Sequence, residues 1–295
     1  MLKDFRVLSL FDGAAMAHEA ILRSGIASQR YITYFASEID PYASAVAEAR
    51  ISYYQNRGDV RLISGYTFSG YDLLIGGSPC TNLSSAGNGK GLEGDQSSLF
   101  WEFVRIKNEG KFKYFLLENV ASMKTKDRYR MSEAMGCQPI RINSNLFGAQ
   151  NRDRLYWTNI PVDTNLLPEF NADVLMDVII GHNDHCDTPS KYFLSEKAIA
   201  YMSRVGLNKK TRWEFMPNKL DRKSSPLTAN MWKGVPYGVI KELGRRLTPE
   251  ECERLQGLPT GYTKVDGVSE TQRYKMIGNG FHVPTVAWIL KFINL

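Results

Sequence analysis

The sequence contains few of the features that mark membrane, metal-binding or disulfide-rich proteins. It has no run of about 18 or more apolar residues, so we expect no membrane-spanning helix. Its N-terminus lacks the length and cleavage site of a signal peptide. The four histidines are scattered, and we predict no metal site. The cysteines form no Cys-x-x-Cys pair, which argues against a disulfide framework or a cysteine-based zinc site; they are Cys80, Cys137, Cys186 and Cys252. These absences predict a cytoplasmic protein of a bacterial or viral-host interior, or a nuclear one in a eukaryote, with no membrane partner.

The chain does have a sizeable apolar fraction and a net positive charge. Hydrophobic residues make up 43% and aromatic residues 12% of its 295 residues, which is enough for a large core. The net charge of +6 is unevenly distributed, because residues 201–246 hold eleven Lys or Arg against three acids. A solvated helix face would account for that stretch. Its interleaved aromatic residues also suit a polyanion with stackable bases, and we favour nucleic acid as the partner.

Strand and helix patterns alternate through the N-terminal half. Val7 to Phe11 predicts a buried strand, and the helix after it runs to about Ser24, with Gly25 as its stop signal. The next elements are predicted as strands at Tyr31–Ser37, Tyr71–Gly77 and Tyr114–Leu117 and helices at Pro41–Arg50 and Ser98–Asn108. This alternation predicts an α/β fold with a mostly parallel sheet covered by helices. The polar region from Pro161 to about Arg246 breaks the pattern and predicts a separate, smaller domain.

A cysteine follows one of these predicted strands. Gly77-Ser78-Pro79-Cys80 comes directly after the apolar segment, and its proline fixes the backbone just before the thiol. The thiol is therefore predicted on a loop at the end of a strand, where α/β enzymes place their chemistry. Taken alone, Cys80 is better explained as a small buried residue, as most free cysteines are.

The first two strands end in a pattern typical of a nucleoside-binding site. A turn at Asp12-Gly13 follows the first strand, and Glu38 follows the second, where a carboxylate accepts hydrogen bonds from ribose hydroxyls. Asp59 is placed for a third contact, with an adenine amine. The turn lacks the Gly-x-Gly-x-x-Gly that a pyrophosphate requires, so S-adenosylmethionine, which has no phosphate, fits better than a dinucleotide. An ordinary strand–helix connection remains the alternative for the turn by itself.

These segments, taken together and in order, resemble the DNA cytosine-5 methyltransferase family. In motif wording the chain is closest to its animal de novo branch, notably in Gly58-Asp59-Val60-Arg61 and Gly76-Gly77-Ser78-Pro79-Cys80. The other blocks are Phe11-Asp12-Gly13, Ser37-Glu38, Glu118-Asn119-Val120, Gln150-Asn151-Arg152-Asp153-Arg154, Arg246-Leu247-Thr248-Pro249-Glu250, Arg254-Leu255-Gln256-Gly257 and Gly278-Asn279-Gly280.

The resemblance implies a Rossmann-like methyltransferase fold with a small target-recognition domain. We predict a catalytic, cofactor-binding domain over residues 1–160 plus 262–295, and a target-recognition domain over 161–261. The implied substrate is double-stranded DNA, from which the target cytosine must be flipped out of the helix. Nothing in the sequence indicates the oligomeric state.

The resemblance also implies the catalytic roles. Cys80 would add to C6 of cytosine as a thiolate, and Glu118 would hold N3 and the exocyclic amine and protonate N3. Arg154 would bind the base carbonyl and stabilise developing negative charge, and Arg152 would position the cysteine loop or the nucleotide backbone. The base that removes the C5 proton is not identified.

Binding residues carry over by position. The cofactor, S-adenosyl-L-methionine, would be bound by Phe11, Asp12, Gly13, Ala14, Met16, Glu38, Ile39, Asp59, Val60, Pro79, Leu99, Asn279 and Gly280. Phosphates would be neutralised by Lys209, Lys210, Arg212, Arg222 and Lys223. The chain departs from the family pattern at Ala17, Thr81 and Gly280, where Gly, Gln or Asn, and Ser are common.

Two alternatives stay open beside a DNA cytosine-5 methyltransferase. One is an RNA (tRNA) cytosine-5 methyltransferase, because this chemistry also occurs on transfer RNA within the family. The other is a non-enzymatic DNA-binding regulatory paralogue, which the complete set of Cys80, Glu118 and Arg154 argues against.

Overall fold

The protein is described here from a computed structural model that covers residues 3–79, 92, 98–180, 188–205, 218–233, 235, 237–240 and 242–295. The strands are β1 Asp4–Leu10, β2 Tyr31–Ser37, β3 Gln55–Asn56, β4 Leu73–Gly77, β5 Tyr114–Val120, β6 Ile140–Asn143, β7 Asp153–Thr158, β8 Val239–Ile240 and β9 Arg245–Arg246. The helices are α1 Met16–Ser24, α2 Pro41–Arg50, α3 Leu99–Gly110, α4 Thr125–Met135, α5 Leu175–Ile180, α6 Glu196–Val205, α7 Pro249–Leu255, α8 Glu270–Asn279 and α9 Val283–Leu290.

A seven-stranded sheet forms the centre of the fold, in the order β3-β2-β1-β4-β5-β7-β6. The pairs from β3 through β5 are parallel, and β7 is antiparallel to both of its neighbours. The α/β class predicted from the alternation of elements is therefore confirmed. Strand β1 lies between β2 and β4, so the order of the strands reverses at β1: β2 and β3 lie on one side of it, and β4 and β5 on the other. Ligands of open α/β sheets bind at such a point, outside the carboxyl ends of the strands.

Local sequence explains where the first helices begin and end. Helix α1 ends at Gly25, whose φ of 89° gives the left-handed C-cap that glycine adopts without strain. Helix α2 begins with Pro41 at its first position, and the Asp40 side chain accepts a hydrogen bond from the backbone N–H of Tyr42. Strand β2 and helix α2 match their predicted bounds.

One face of the sheet is covered by α3 and α4. Phe100, Phe103 and Ile106 of α3 and Met131 and Met135 of α4 share one buried cluster with strand residues. The strand residues of this cluster include Leu8, Leu10, Leu74, Leu117, Leu155 and Trp157. Since neighbouring strand residues point to opposite faces, Val7 lies on the other face. Helices α1 and α9 pack against each other.

The chain divides into two compact units. Unit 1 consists of Met1–Asn143, Asp153–Leu167 and Val283–Leu295, and unit 2 of Ser144–Arg152 and Pro168–His282. These units differ from the predicted domains in where residues 144–152, 161–167 and 262–282 fall. The assignment of a target-recognition role to residues 161–261 stays a prediction. Over the described part of the chain, no helix has both the length and the apolar character needed to cross a membrane.

Candidate active site

The turn between β1 and α1 has an unusual backbone. Phe11, Gly13 and Ala15 all have φ near +60°, at 56°, 60° and 57°. This left-handed region is easy for glycine but costs other residues of order 1–3 kcal/mol. Ala15 is the N-cap of α1 and makes no side-chain cap hydrogen bond. The strain therefore lies at the carboxyl edge of the sheet, where the sequence predicts the cofactor.

The carboxyl group of Asp12 is enclosed beneath this turn. Asp12 is 4% exposed, and its Oδ1 accepts hydrogen bonds from the hydroxyls of Ser9 and Tyr34, while Oδ2 accepts one from Tyr54. Burial raises the pKa of Asp12 to about 7, although the three hydroxyl donors oppose that rise. The side chain of Asp12 thus ties β1 to β2 and to the segment before β3. Asp12 therefore holds the turn in place, and its predicted contact with the cofactor stays a prediction.

Glu38 stands at the end of β2 and faces the turn. Its Oε2 accepts a hydrogen bond from the Gly13 backbone N–H at 2.7 Å, and its Oε1 accepts from the N–H groups of Ile39 and Asp40. Ile39 beside it is 72% exposed, although it is a large apolar side chain. A carboxylate acceptor next to an exposed apolar surface fits a ribose and the flat ring attached to it. The residues of this edge therefore fit a nucleoside-bearing cofactor without a pyrophosphate.

The third predicted cofactor segment carries an ion pair. Both carboxylate oxygens of Asp59 accept hydrogen bonds from the Arg61 guanidinium at 3.0 Å, and these bonds hold the pKa of Asp59 low, at about 2. The neighbouring Val60 is buried, and its carbonyl accepts a hydrogen bond from Arg105 of α3 at 3.3 Å. An adenine amine at Asp59 would have to share the carboxylate with Arg61.

Strand β4 leads into the predicted nucleophile. Cys80 lies outside the described residues, as do Thr81 and the predicted phosphate-binding residues Lys209, Lys210 and Arg212. The two residues before Cys80 are described. Asn119 on β5 donates from Nδ2 to the Ser78 carbonyl at 3.2 Å and to the Ser78 hydroxyl at 3.1 Å. These bonds hold Ser78, which precedes Cys80 by two residues in the sequence, against β5.

Glu118 and Arg154 form an ion pair between β5 and β7. Glu118 lies opposite Gly77 of β4 in the strand register, and Arg154 lies opposite Val120, two residues along β5 from Glu118. The Arg154 Nε is 2.7 Å from the Glu118 Oε1, and the two side chains are 14% and 11% exposed. A carboxylate on β5, next to the strand that precedes Cys80, is thus paired with a guanidinium on β7. The structure brings together two of the predicted catalytic side chains.

Arg152 has a different environment, within unit 2. It is 2% exposed, and its guanidinium donates to the carbonyl oxygens of Leu227, Gly278 and Gly280. Arg152 thus holds two backbone segments of its own unit together, around Leu227 and around Gly278 and Gly280. Its predicted role, to position the cysteine loop or the nucleotide backbone, stays a prediction.

Other side chains of the motifs belong to the same hydrogen-bond network. Gln150 donates to the Leu255 carbonyl and accepts from the Leu227 N–H, and Gln256 donates to the carbonyls of Ile277 and Gly280. Residue 278 of this network must be a glycine, because a Cβ there would lie 2.2 Å from the Thr228 carbonyl. Motifs that are widely separated in sequence therefore meet in unit 2.

The remaining predicted residues divide between exposed and structural positions. Arg222 is exposed, as a phosphate contact requires. The Lys223 Nζ donates to the carbonyl of Gly148 and to the carbonyl and side chain of Asn171, so its ammonium has a structural role in unit 2. Of the other predicted cofactor residues, Ala14 and Met16 are buried, Leu99 is half-buried against the core cluster, and Asn279 is exposed. No cluster of three metal-binding side chains occurs among the described residues.

Sequence reasoning missed Ser9, Tyr34, Tyr54 and Asn119. The tyrosines had no sequence signal, because their partner Asp12 is more than 20 residues away from both. Asn119 did have one, since it stands inside the Glu118-Asn119-Val120 motif, but its contact with Ser78 depends on strand pairing.

The profile of one protein family covers almost the whole chain. The family described as C-5 cytosine-specific DNA methylase matches residues 5–294. Two curated relatives are bacterial. The Type II methyltransferase M1.ScrFI of Lactococcus lactis subsp. cremoris is 28% identical over 287 residues, covering 88% of this chain and 71% of the relative. The Type II methyltransferase M.SsoII of Shigella sonnei is 29% identical over 272 residues, covering 85% and 71%.

A solved structure has the same fold. The S. pombe Dnmt2 methyltransferase superposes with a TM-score of 0.67 over 97% of both chains, at 18% sequence identity. The Rossmann-like methyltransferase fold predicted from the sequence is confirmed. The predicted likeness to the animal de novo branch stays a prediction.

Proposed function

The chain belongs to the C-5 cytosine-specific DNA methylase family, and from this premise we propose that it methylates cytosine in double-stranded DNA through a covalent adduct with Cys80. Its activity as a DNA cytosine-5 methyltransferase and its methyl donor, S-adenosylmethionine, follow from the family. The proposal concerns the double-stranded substrate and the residues that perform each step.

Cysteine chemistry is needed because C5 of cytosine is a poor nucleophile. The Cys80 thiolate adds to C6 while N3 takes up a proton from Glu118. The C5–C6 bond becomes single and a C4–C5 double bond forms, which gives an enamine whose C5 is nucleophilic. Bound S-adenosylmethionine supplies an electrophilic methyl group. After C5 is methylated, loss of the C5 proton and departure of the Cys80 sulfur restore the aromatic ring.

Glu118 and Arg154 are proposed to bind the base. Cytosine presents its exocyclic amine, N3 and O2 on a single edge, and a neighbouring carboxyl and guanidinium complement that edge. Glu118 holds the amine and delivers a proton to N3, and Arg154 binds O2. The observation that supports these roles is the 2.7 Å ion pair of Glu118 and Arg154. Glu118 is on β5, which adjoins the strand that leads to Cys80, and Arg154 is on β7, the next strand along. The entering base replaces that ion pair.

The turn after β1 is proposed to hold the cofactor. Glu38 would accept hydrogen bonds from the ribose hydroxyls while it keeps its bond to the Gly13 N–H, and Ile39 would pack against the adenine. Asp59 would accept from the adenine amine in competition with Arg61. Because S-adenosylmethionine has no phosphate, the site requires no hydrogen-bond donor for one.

A cytosine stacked in a duplex cannot present C6 to a thiol, so the target nucleotide must leave the helix. We propose that residues 161–261 contribute target recognition and that Arg222, which is exposed, contacts phosphate.

The test measures transfer of labelled methyl to unmethylated duplex DNA and, in parallel, to transfer RNA. Wild type and Cys137→Ser, which changes a half-buried cysteine elsewhere in unit 1, should methylate the duplex, while Cys80→Ser should not. Wild type should also form a denaturation-resistant complex with duplex containing 5-fluorocytosine. Methylation of transfer RNA alone would establish the RNA alternative. Unchanged methylation by Cys80→Ser would exclude the covalent route, and absence of both activities would favour a regulatory paralogue.

A further inference from the structure

Asn56 is the last residue of β3, and its side chain continues the pairing with β2 after the backbone pairing has ended. The last paired residues are Ala36 and Asn56, and the Arg57 N–H donates to the Ala36 carbonyl at 2.7 Å. Beyond them the Asn56 Oδ1 accepts a hydrogen bond from the Glu38 N–H at 3.1 Å, and its Nδ2 donates to the Glu38 carbonyl at 2.9 Å. One side-chain amide thus bonds to both backbone polar groups of the residue proposed to bind the ribose.

The same amide holds the turn that leads to Asp59. The Asn56 Oδ1 accepts a second hydrogen bond, from the Gly58 N–H at 2.9 Å. The Gly58 carbonyl accepts one from the hydroxyl of Ser37 at 2.7 Å, and Ser37 is buried at the end of β2. The backbone of Gly58 is therefore fixed on both sides, and Asp59 follows it directly in the chain.

A fourth hydrogen bond fixes the amide to helix α2. The Asn56 Nδ2 donates to the hydroxyl of Ser44 at 2.9 Å, and Ser44 is itself buried. An asparagine side chain offers two N–H donors and two acceptor lone pairs, and all four are used here. Exchanging the oxygen and nitrogen would place N–H donors against the N–H groups of Glu38 and Gly58. The amide therefore has a single orientation that satisfies its neighbours.

The two segments that Asn56 connects carry the two acids proposed to bind the nucleoside of the cofactor. Glu38 is proposed to accept from the ribose hydroxyls and Asp59 from the adenine amine. Both groups belong to one small molecule, so the separation of their acceptors must match it. Groups that are held in place before the ligand arrives need not be ordered when it binds, and the affinity is higher for that reason.

We propose that Asn56 is a positioning residue for methyl transfer: its amide sets the separation of Glu38 and Asp59 and so pre-organises the nucleoside half of the S-adenosylmethionine site. The inference rests on the cofactor contacts of these two acids in the proposed function. Hydrogen bonds from a supporting residue determine how precisely the binding groups are held. Asn56 therefore acts through the backbone of Glu38 and of Gly58.

The experiment compares Asn56→Ala with Asn159→Ala as a matched control. The Asn159 amide also bonds to strand backbone in unit 1, accepting from the Phe115 N–H at 2.8 Å and donating to the Lys113 carbonyl at 2.9 Å. It lies at the start of β5, which is the edge of the sheet opposite Glu38. Calorimetric titration should show Asn56→Ala binding S-adenosylmethionine about tenfold more weakly than wild type, because the released segments must be ordered on binding. Asn159→Ala should bind it with wild-type affinity.

Further measurements separate positioning from general loss of structure. In Asn56→Ala the KM for S-adenosylmethionine should rise about tenfold, while kcat at saturating cofactor and the KM for duplex DNA stay at wild-type values. 5′-Methylthioadenosine, which has the nucleoside without the amino acid, should lose affinity by the same factor in competition experiments. Asn56→Ser should lie between wild type and Asn56→Ala, because its hydroxyl can still accept from the Gly58 N–H. Urea unfolding compares the stability of all variants.

A double-mutant cycle with Glu38→Ala shows whether Asn56 acts through Glu38. Asn56→Ala should weaken cofactor binding much less in the Glu38→Ala background than in wild type. Wild-type cofactor affinity in Asn56→Ala, an equal loss in Asn159→Ala, or full additivity in the cycle would overturn the inference, while weak binding by Glu38→Ala leaves the proposed cofactor contact standing. Normal cofactor affinity in Glu38→Ala would remove that contact and this inference together.

Discussion

Glu118 and Arg154 are diagonal neighbours across two antiparallel strands. Arg154 lies opposite Val120, two residues along β5 from Glu118, so the two side chains stand on the same face of the sheet. Their 2.7 Å ion pair is therefore a consequence of backbone register. A shift of one residue in that register would send Arg154 to the other face.

Loss of either member should reduce the chemical step rather than folding. We expect Glu118→Gln to lower kcat by about 10²–10⁴-fold, because the amide holds the base but donates no acidic proton to N3. Arg154→Met should lower it by about 10²–10³-fold. Arg141→Met is the control, since Arg141 forms an exposed ion pair with Asp153 on the adjacent strands. Single-turnover kinetics and calorimetric titration with S-adenosylmethionine separate chemistry from binding, and a normal kcat in Glu118→Gln would contradict the assigned role.

The buried carboxyl group of Asp12, with its donors Ser9, Tyr34 and Tyr54, should make folding stability fall as pH rises. The usual pKa of an aspartate is 3.8 and that of folded Asp12 is about 7, so between these values the folded protein keeps a proton that the unfolded chain releases. The Asp12 contribution is thus present below pH 4, is lost between pH 4 and 7, and amounts to at most about 4 kcal/mol. Urea unfolding at a series of pH values should show Asp12→Asn gaining stability relative to wild type over that window.

His18, whose ring contacts that of Tyr34, has the opposite effect on the pH dependence of stability. Burial lowers its pKa from 6.5 to about 4, so its contribution to folding stability is present above pH 6.5 and is lost as the pH falls toward 4.

Tyr54→Phe is the control for Asp12, because it removes one hydroxyl donor to Asp12 and should extend the loss of stability above pH 7. A wild type and an Asp12→Asn variant with parallel pH profiles would contradict the buried, protonated Asp12.

Arg152 should be measured first as a residue that stabilises unit 2. Arg152→Met leaves three carbonyls, two of them in buried residues, without their guanidinium donor, and we expect it to lower the free energy of unfolding by about 3 kcal/mol or more. Arg222→Met, an exposed arginine of the same unit, should cost less than about 0.5 kcal/mol. Urea denaturation gives both values, and equal costs would contradict the structural role of Arg152.

The end of α3 offers a stabilising substitution. Lys111 has φ 49° and ψ 48°, a left-handed conformation that favours glycine at a helix C-terminus. We expect Lys111→Gly to be more stable than Lys111→Ala by about 1 kcal/mol, since both remove the charge and only glycine relieves the strain. The comparison needs only the two midpoints of urea unfolding, and a more stable alanine variant would contradict the expectation.

The sequence predicted the parallel half of the fold well because each of its elements has a local signal. The strand at Tyr31–Ser37 and the helix at Pro41–Arg50 were predicted at their observed bounds, with a polar residue or proline marking each boundary. The antiparallel pair β6 and β7 was not predicted. Residues 150–154 were interpreted as a motif, although the strand Asp153–Thr158 begins within it, and nothing local shows that this strand inserts beside β5.

The candidate site was predicted as a set of residue types but not as a set of contacts. The sequence indicated Glu118 and Arg154, and strand register brings them together. It could not indicate that the ammonium of Lys223 bonds to Gly148 and Asn171, because the partners of a lysine depend on tertiary structure.

The hydrogen-bond network of unit 2 has a consequence for biosynthesis. It joins Gln150 to Leu255 across 105 residues and Arg152 to Gly280 across 128 residues, so most of its bonds close very long loops. Such contacts form late, because the loop-closure entropy is lost before they stabilise the chain. A nascent chain still on the ribosome holds Arg152 long before it holds Gly280. We therefore expect this unit to depend on chaperones during translation and to reach its native state only after the ribosome has synthesised Gly280.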